Sequence, residues 1–209
     1  MDSFVRLFTS SPRKTSSADA ACKASTVIDI NDALLPVSKC TLPNPYGRTC
    51  DLHEVYDRLF ISGSDGAEQL SLLRQAGITH VLNVADGRSR RQQPPDQLYS
   101  LTGITYLGLS AIDSPDYNIT QHFEMAFSFI DQALYNNGKV LVHCLQGVSR
   151  SPTIVAAYLM SRKNMSAAEA VKFIRRRRVI YPNVGFVNQL AQYNAELCKR
   201  HSLNMRRLS

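Results

Sequence analysis

Residues 140–153, Val-Leu-Val-His-Cys-Leu-Gln-Gly-Val-Ser-Arg-Ser-Pro-Thr, place a thiol and a guanidinium six positions apart. A thiolate at Cys144 would be a strong nucleophile. The planar guanidinium of Arg150 can bind two phosphate oxygens at once, whereas a lysine offers only a point charge. These residue types at this spacing indicate a cysteine nucleophile held beside a bound phosphate group.

The residues around Cys144 predict a strand, a tight loop and the start of a helix. Residues 140–142 are a short apolar run that favours a buried strand. Gly147 can adopt backbone conformations closed to other residues, Ser149 is a good N-cap, and Pro152 suits a first helical turn. Unpaired backbone N–H groups at such a helix N-terminus bind anions and favour a thiolate. We expect a phosphate to be held by the backbone amides of a segment that we call the phosphate loop: Leu145, Gln146, Gly147, Val148, Ser149 and Arg150.

The alternative interpretation of this segment is an inert buried cysteine at a strand end, followed by an exposed arginine. That interpretation would be favoured for a lone cysteine, but His-Cys-x-x-Gly-x-Ser-Arg-Ser fixes six positions at set spacing. At these residues the chain resembles the cysteine-dependent protein phosphatases, whose signature is His-Cys followed by five residues and Arg. The Ser-Arg-Ser ending resembles the dual-specificity branch of those enzymes.

The resemblance extends over roughly residues 28–197, and the whole is similar to the VHR-type atypical dual-specificity phosphatases. Further matching segments are Gly-Ile-Thr-His-Val-Leu-Asn83, Gly-Arg-Ser89, Ala-Tyr-Leu-Met160 and Pro-Asn-x-Gly-Phe186. The resemblance implies hydrolysis of phosphotyrosine and phosphoserine/threonine in proteins through a phosphocysteine intermediate, without metal or cofactor. It also implies that His143 orients the cysteine loop and that the Ser151 hydroxyl stabilises the thiolate as a leaving group.

A proton donor is needed on the leaving-group side of the phosphate, and two aspartates are candidates. Asp113 and Asp116 both lie in the loop that follows a predicted strand at 104–109, with Asp113 directly at the strand exit. A turn-forming aspartate before Ser-Pro is the alternative interpretation. The segment that ends at Asp113 is similar to the acid loop of the small atypical dual-specificity phosphatases, which implies that Asp113 is the general acid.

The residues expected at the rim of the site depart from the family pattern. Gln146 and Val148 stand where VHR-type members carry an acidic residue and an aromatic one, and Arg90 and Arg91 replace an apolar pair. The resemblance also places Arg178 and Asn183 near the pocket. Residues 175–178 are four consecutive arginines, and because helical neighbours point in different directions, only one or two should face the cleft. Such a rim is more basic and less aromatic than the family pattern. It favours substrates with more than one negative charge, does not indicate a preference for phosphotyrosine, and leaves the choice between phosphotyrosine and phosphoserine/threonine open.

Two rival functions remain compatible with these residues. The first is the same chemistry on non-protein phosphates, such as phosphoinositides or RNA 5′-phosphates, which the arginines suggest. The second is a scaffold that binds phosphorylated partners without turning them over. The predicted partners are phosphorylated proteins, including multiply phosphorylated ones, and no nucleic acid is expected; the sequence does not determine the oligomeric state.

Composition is typical of a soluble globular protein: 209 residues, 44% hydrophobic and 20% charged, with a net charge of +7. The five cysteines are scattered, which argues against a disulfide framework and against a zinc site. No apolar run reaches transmembrane length, and the first residues are too charged for a secretory signal. We therefore expect no membrane span and a cytoplasmic location, a nuclear one, or both.

Strands that alternate with helices predict a single α/β domain with a central, largely parallel twisted sheet flanked by helices, as in protein tyrosine phosphatases. Residues 1–25 are predicted to be a disordered tail, residues 26–201 the catalytic domain with an N-terminal helix at 26–36, and residues 202–209 a C-terminal tail. Residues 37–46 are interpreted as a linker. The other predicted helices lie at 66–75, 123–135, 152–162, 166–178 and 185–201. Residues 55–61 predict one strand or a strand pair, and further strands are predicted at 78–84, 104–109 and 140–142.

Overall fold

The computed structural model describes residues 24–35, 50–87, 99 and 101–208. Within them the chain forms a five-stranded sheet in the order β1-β2-β5-β3-β4, in which only the β1–β2 pair is antiparallel. The strands are β1 (His53–Tyr56), β2 (Leu59–Ser62), β3 (His80–Asn83), β4 (Thr105–Gly108) and β5 (Val140–His143). The predicted single α/β domain with a largely parallel sheet is confirmed.

Seven α-helices cover the two faces of this sheet within the described residues. They are α1 (Val27–Leu34), α2 (Ser64–Ala67), α3 (Leu70–Ala76), α4 (Phe123–Tyr135), α5 (Arg150–Lys163), α6 (Ala167–Arg175) and α7 (Val184–Leu208), and a 3₁₀ turn (Ile119–His122) leads into α4. Side chains alternate between the two faces, as a strand requires. Val140 and Val142 pack in the larger core with α4 to α7, while Leu141 packs in the smaller core with Leu73 of α3.

Strand β5 and helix α5 occupy the centre of the molecule. All four residues of β5 are buried, because the strand is hydrogen-bonded to β2 and β3 and covered on both faces. Helix α5 is buried from Arg150 to Met160 and packs against α4, α6 and α7. The loop between β5 and α5 is therefore held at both ends by the most buried elements of the domain.

Most predicted elements are present, but three predicted helices differ in extent or continuity. The helix predicted at 66–75 is divided into α2 and α3, and α3 ends at Gly77, whose φ of 75° is left-handed. Helix α6 starts with a Ser166–Glu169 capping box and ends at Arg175 rather than at the predicted Arg178. Helix α7 continues to Leu208, so residues 202–208, which were predicted as tail, are helical.

The predicted N-terminal helix is present as α1 and packs on α6 and α7. Thr26 and Asp29 form a capping box at its start. Just before it, the backbone N–H of Ser25 donates to Asn194 Oδ1 of α7 at 3.1 Å, so the ordered fold reaches the end of the predicted tail. The rest of that tail and the predicted linker at 37–46 lie outside the described residues.

Cys198 on α7 is disulfide-bonded, although the scattered cysteines argue against a disulfide framework. Cys50 and Cys144 are not disulfide-bonded. Among the described residues, no three His, Cys, Asp or Glu side chains are grouped so that they could hold a metal ion. None of the helices in those residues is both long and apolar enough to cross a lipid bilayer.

Candidate active site

The Cys144 thiol lies where β5 ends, at the base of the phosphate loop. Its side chain is 2% exposed. The Sγ atom accepts a hydrogen bond from the backbone N–H of Gly147 at 3.2 Å and one from the Ser151 hydroxyl at 3.4 Å. Two donors therefore point at this sulfur from the phosphate loop and from the first turn of α5.

Consecutive carbonyl groups of the phosphate loop are bound from behind, on the side away from Cys144. The carbonyl of Leu145 accepts from the N–H and the hydroxyl of Ser64, at 2.9 and 3.1 Å. The carbonyl of Val148 accepts from the N–H of Tyr181 at 2.8 Å. The two carbonyls between them are bound by one side chain, that of Arg178.

The guanidinium of Arg178 donates to the carbonyls of Gln146 and Gly147, at 3.0 and 2.8 Å. In a planar trans peptide, a carbonyl and the N–H that follows it point in opposite directions. Because carbonyls 145 to 148 point away from the thiol, the N–H groups of residues 146 to 149 point to the other side. The Gly147 N–H that reaches Cys144 Sγ fits this rule, and the result is a cradle of backbone donors for an anion.

Gly147 is required in this cradle for two reasons. Its φ of 67° is left-handed, which side chains rarely tolerate. A Cβ atom there would also collide with the Ser62 carbonyl oxygen and with the Arg178 guanidinium. The sequence-based expectation that glycine supplies a special backbone conformation agrees with this geometry.

Arg178 is placed differently from its predicted position at the rim. Its side chain is 6% exposed. Besides the two loop carbonyls, it pairs with Asp51 and donates to His53 Nδ1 at 3.0 Å. Burial and the neighbouring Arg178 charge lower the pKa of His53, so that a neutral ring accepts this bond. Arg178 therefore lies beneath the phosphate loop, where its guanidinium binds two loop carbonyls, Asp51 and His53.

Asp51 connects Arg178 to the backbone at Gly63, directly after β2. Its Oδ2 accepts from the Gly63 N–H at 2.7 Å, while its Oδ1 pairs with Arg178. The backbone just after β2 and the underside of the phosphate loop are thereby connected through the side chains of Asp51 and Arg178. Sequence reasoning missed Asp51 and Ser64, because no local motif marks residues that act on a loop so distant in the chain.

Arg150 begins α5 and is 4% exposed. One of its terminal nitrogens donates to the Ala111 carbonyl at 3.2 Å, which fixes the direction of the guanidinium. Its Nε lies 3.5 Å from Asp113 Oδ2 and has no hydrogen-bond partner, so this pair is an ion pair without hydrogen-bond geometry. A phosphate in the cradle would offer Arg150 the oxygen acceptors that it lacks.

Asp113 is held over the mouth of the site by two donors. Its Oδ1 accepts from the Ser149 hydroxyl at 2.7 Å and from the side-chain amide of Asn183 at 2.8 Å. The Ser149 hydroxyl also accepts from the Asn183 N–H at 3.2 Å, so the three residues form one network. Ser149 precedes α5 as predicted, but its side chain makes no cap hydrogen bond and binds Asp113 instead.

Asp116, the second candidate acid, does not reach this site. It lines a different depression together with Asn118, Thr120, Gln189, Gln192, Tyr193 and Glu196. Asp113, in contrast, lines a cavity of about 440 Å³ that contains Cys144. We call this cavity the Cys144 cleft, and its other lining residues are Leu145, Gln146, Val148, Ser149, Arg150, Tyr181 and Asn183.

His143 lies next to the cysteine and is almost completely enclosed. Its Nδ1 is 3.4 Å from the Cys144 carbonyl oxygen, and its Nε2 has no hydrogen-bond partner. Burial lowers the pKa of His143 to about 4, so the ring is neutral at physiological pH. A neutral ring with its proton on Nδ1 would donate to Cys144, which fits the predicted orienting role.

The remaining predicted rim residues divide into two groups. Asn183 lines the Cys144 cleft, as expected. Arg90 and Arg91 lie outside the described residues. Tyr181, which the sequence did not single out, also lines the cleft, and its position beside the Pro-Asn pair that holds Asn183 could have marked it.

The ends of a largely parallel sheet present a cysteine, a loop of inward-facing amides, an arginine and a carboxylate together. This arrangement defines a cysteine-dependent phosphatase. Residues 59–196 match the family model "Dual specificity phosphatase, catalytic domain", and the chain belongs to this family. The resemblance found in the sequence is thus confirmed. Proteins of this family are protein phosphatases, so phosphoproteins are the substrates.

Curated relatives and solved structures agree with this assignment. The chain is 42% identical over 154 residues to dual specificity protein phosphatase 26 of Homo sapiens, which covers 72% of each protein. Human DUSP28 superposes with a TM-score of 0.62 at 30% identity, over 76% of this chain and 99% of that one. A mouse putative dual specificity phosphatase, complexed with zinc tungstate, gives 0.63 at 30% identity, over 79% and 96% of the two chains.

Proposed function

We propose that this protein hydrolyses phosphotyrosine and phosphoserine/threonine in proteins through a phosphocysteine intermediate. The observation that carries the proposal is the position of Cys144 Sγ, which lies at the base of the cradle formed by the amides of the phosphate loop. A phosphate dianion in that cradle would present its phosphorus to the sulfur. The same amides would stabilise the charge that develops on the phosphate oxygens in the transition state.

In the first step, the Cys144 thiolate attacks phosphorus and the bond from phosphorus to the leaving oxygen breaks. Arg150 and the loop amides hold the other three oxygens. Asp113 gives its proton to the leaving oxygen, which departs as a neutral hydroxyl. Asp113 Oδ1 is occupied by Ser149 and Asn183, so the transferred proton is carried on Oδ2.

In the second step, water attacks the phosphocysteine and the sulfur–phosphorus bond breaks. Asp113, now a carboxylate, takes a proton from the attacking water. The sulfur leaves as a thiolate, which receives the hydrogen bond from Ser151 that is present at 3.4 Å in the free protein. The cycle returns inorganic phosphate and the starting protonation states without a metal or cofactor.

The presence of the complete set of reacting groups favours turnover over the rival scaffold function. Cys144, Arg150 and Asp113 all line one cavity, and a scaffold would need only the cradle and the arginine. The mouse relative that was solved with zinc tungstate supports oxyanion binding in this family, since tungstate is tetrahedral like phosphate.

The test is hydrolysis of phosphopeptides by the wild type and by Cys144→Ser, with Cys50→Ser as the matched control. Cys50 is the other described cysteine that is not disulfide-bonded, and it does not line the cleft. Cys144→Ser should abolish turnover and keep phosphate binding, whereas Cys50→Ser should behave as wild type. Acid-quenched wild type should also carry a phosphate on the peptide that contains Cys144, detected by mass spectrometry. Undiminished hydrolysis by Cys144→Ser would overturn the mechanism.

A further inference from the structure

The Cys144 cleft has an aromatic wall formed by Tyr181. Tyr181 is 49% exposed and comes shortly after Arg178, the residue that binds the phosphate loop from beneath. Its backbone N–H donates to the Val148 carbonyl at 2.8 Å, so the residue is fixed directly to the phosphate loop. The other apolar side chains that line the cleft are those of Val148 and Leu145, and Leu145 is 42% exposed. Three apolar side chains therefore line the cleft beside the polar ones of Asp113, Gln146 and Asn183, above a base that is built to bind an anion.

A buried arginine holds the Tyr181 ring in place. The Arg175 guanidinium is centred 4.5 Å from the ring centroid, on one face of the ring. It also donates to the Tyr181 hydroxyl at 2.9 Å and to the Ile180 carbonyl at 2.7 Å. Arg175 is only 4% exposed, so it cannot itself bind a substrate. A cation on one face fixes the ring and leaves the opposite face to contact a bound molecule.

We infer that Tyr181 is a specificity-determining residue that packs on the phenyl ring of phosphotyrosine and makes the site prefer phosphotyrosine over phosphoserine and phosphothreonine. This inference rests on the proposed function, because it places the phosphate in the cradle at Cys144. A phosphotyrosine ring begins at the phosphate oxygen and would pass out of the cleft beside the side chains of Tyr181, Val148 and Leu145. Phosphoserine and phosphothreonine have only a short aliphatic arm there and would leave the Tyr181 face without a partner.

The size of the preference follows from the contact. Offset-stacked or edge-to-face aromatic pairs are worth up to about 1.5 kcal/mol beyond the area that they bury, which corresponds to about tenfold in a specificity constant. The preference depends on the ring rather than on its hydroxyl group, because the hydroxyl is already engaged by Arg175. A phenylalanine at this position should therefore keep most of the effect.

The test compares two peptides of identical sequence that carry phosphotyrosine or phosphothreonine at the same position. The quantity measured is the ratio of their kcat/KM values, which does not change if part of a variant is unfolded. In the wild type the ratio should favour phosphotyrosine. Tyr181→Ser should lower that ratio about tenfold, and Tyr181→Phe should keep it near the wild-type value.

Tyr135→Ser is the control for a tyrosine elsewhere on the surface. Tyr135 is 89% exposed and is the last residue of α4. It lies shortly before the start of β5, whereas Cys144 follows the end of that strand. It should leave the ratio unchanged. A ratio that Tyr181→Ser does not move, or a wild type that prefers phosphothreonine, would overturn the inference while leaving the phosphatase mechanism intact. Absence of any turnover that depends on Cys144 would instead refute the proposed function.

Discussion

The Ser149 hydroxyl donates a 2.7 Å hydrogen bond to Asp113 Oδ1, which joins the phosphate loop to the loop that carries the proposed acid. The two residues are 36 positions apart in the chain. This bond fixes the phosphate loop, which would hold the substrate phosphate, relative to Asp113, which would protonate the leaving oxygen. Asn183 completes the arrangement from the segment before α7.

Ser149→Ala should impair catalysis mainly where proton donation matters. Losing one hydrogen bond to Asp113 should lower kcat/KM at least about tenfold for a phosphopeptide, whose leaving group is poor. An activated aryl phosphate needs little protonation and should lose less. A series of aryl phosphates with different leaving groups measures the difference. Ser202→Ala, at an exposed position of α7, is the control, and equal losses across the series would show that Ser149 does not act through Asp113.

Asp113→Asn and Asp116→Asn distinguish the two candidate acids. An amide at position 113 cannot donate the catalytic proton, so phosphopeptide turnover should fall about 10²-fold and the basic limb of the pH–rate profile should disappear. Asp116 lines a separate depression and should be replaceable with little effect on either measurement. If Asp116→Asn produced the loss instead, the assignment of the acid would have to be reversed.

Arg178→Met tests whether this arginine acts beneath the loop or at the rim. Without it, the Gln146 and Gly147 carbonyls lose their donors and Asp51 loses its ion partner. Removing one member of a buried pair costs about 3–5 kcal/mol, and because Asp51 is a third exposed, about 2 kcal/mol of unfolding free energy is expected here.

The catalytic signature of Arg178→Met should be the same for all substrates. A cradle with wrongly oriented amides should bind vanadate more weakly and should hydrolyse singly and doubly phosphorylated peptides with equal losses. Arg176→Ala, at an exposed position two residues earlier, is the control. A selective loss of the doubly phosphorylated peptide at low salt would favour the rim position that the sequence predicts.

The sequence predicts the centre of this site well because that part is local. An apolar strand, a glycine and a helix start lie within 14 consecutive residues, and their geometry follows from chain connectivity and backbone preferences. The identity of the acid is less local. Asp113 and Asp116 are both plausible by position, and the choice depends on Asn183, which lies 70 residues further along the chain.

The position of Arg178 could not be predicted for the same reason. Helix α6 ends at Arg175, so the direction of the later arginines is set by the turn that follows rather than by helical periodicity. The groups that draw Arg178 inward are 31 and 127 residues away, at Gly147 and Asp51. A run of arginines predicts a basic surface, and only tertiary structure determines that one member supports a loop and another, Arg175, supports Tyr181.

His143 should make the stability of the protein depend on pH. Burial lowers its pKa from 6.5 to about 4, so between these values the unfolded chain binds a proton that the folded protein does not. Stability therefore rises with pH across this window, and the contribution lost on going from pH 7 to below pH 4 is about 3 kcal/mol. Unfolding by urea at a series of pH values measures this slope.

His143→Asn removes the titrating ring and is the informative variant. It should be less stable than wild type at pH 7, because a buried ring is replaced by a smaller polar group. Its stability should nevertheless fall less steeply between pH 6.5 and 4 than that of the wild type. His201→Asn, on the exposed end of α7, should keep the wild-type slope. If the unfolding free energies of wild type and His143→Asn changed equally with pH, the buried imidazole would not resist protonation. Another group would then cause the loss of stability in acid.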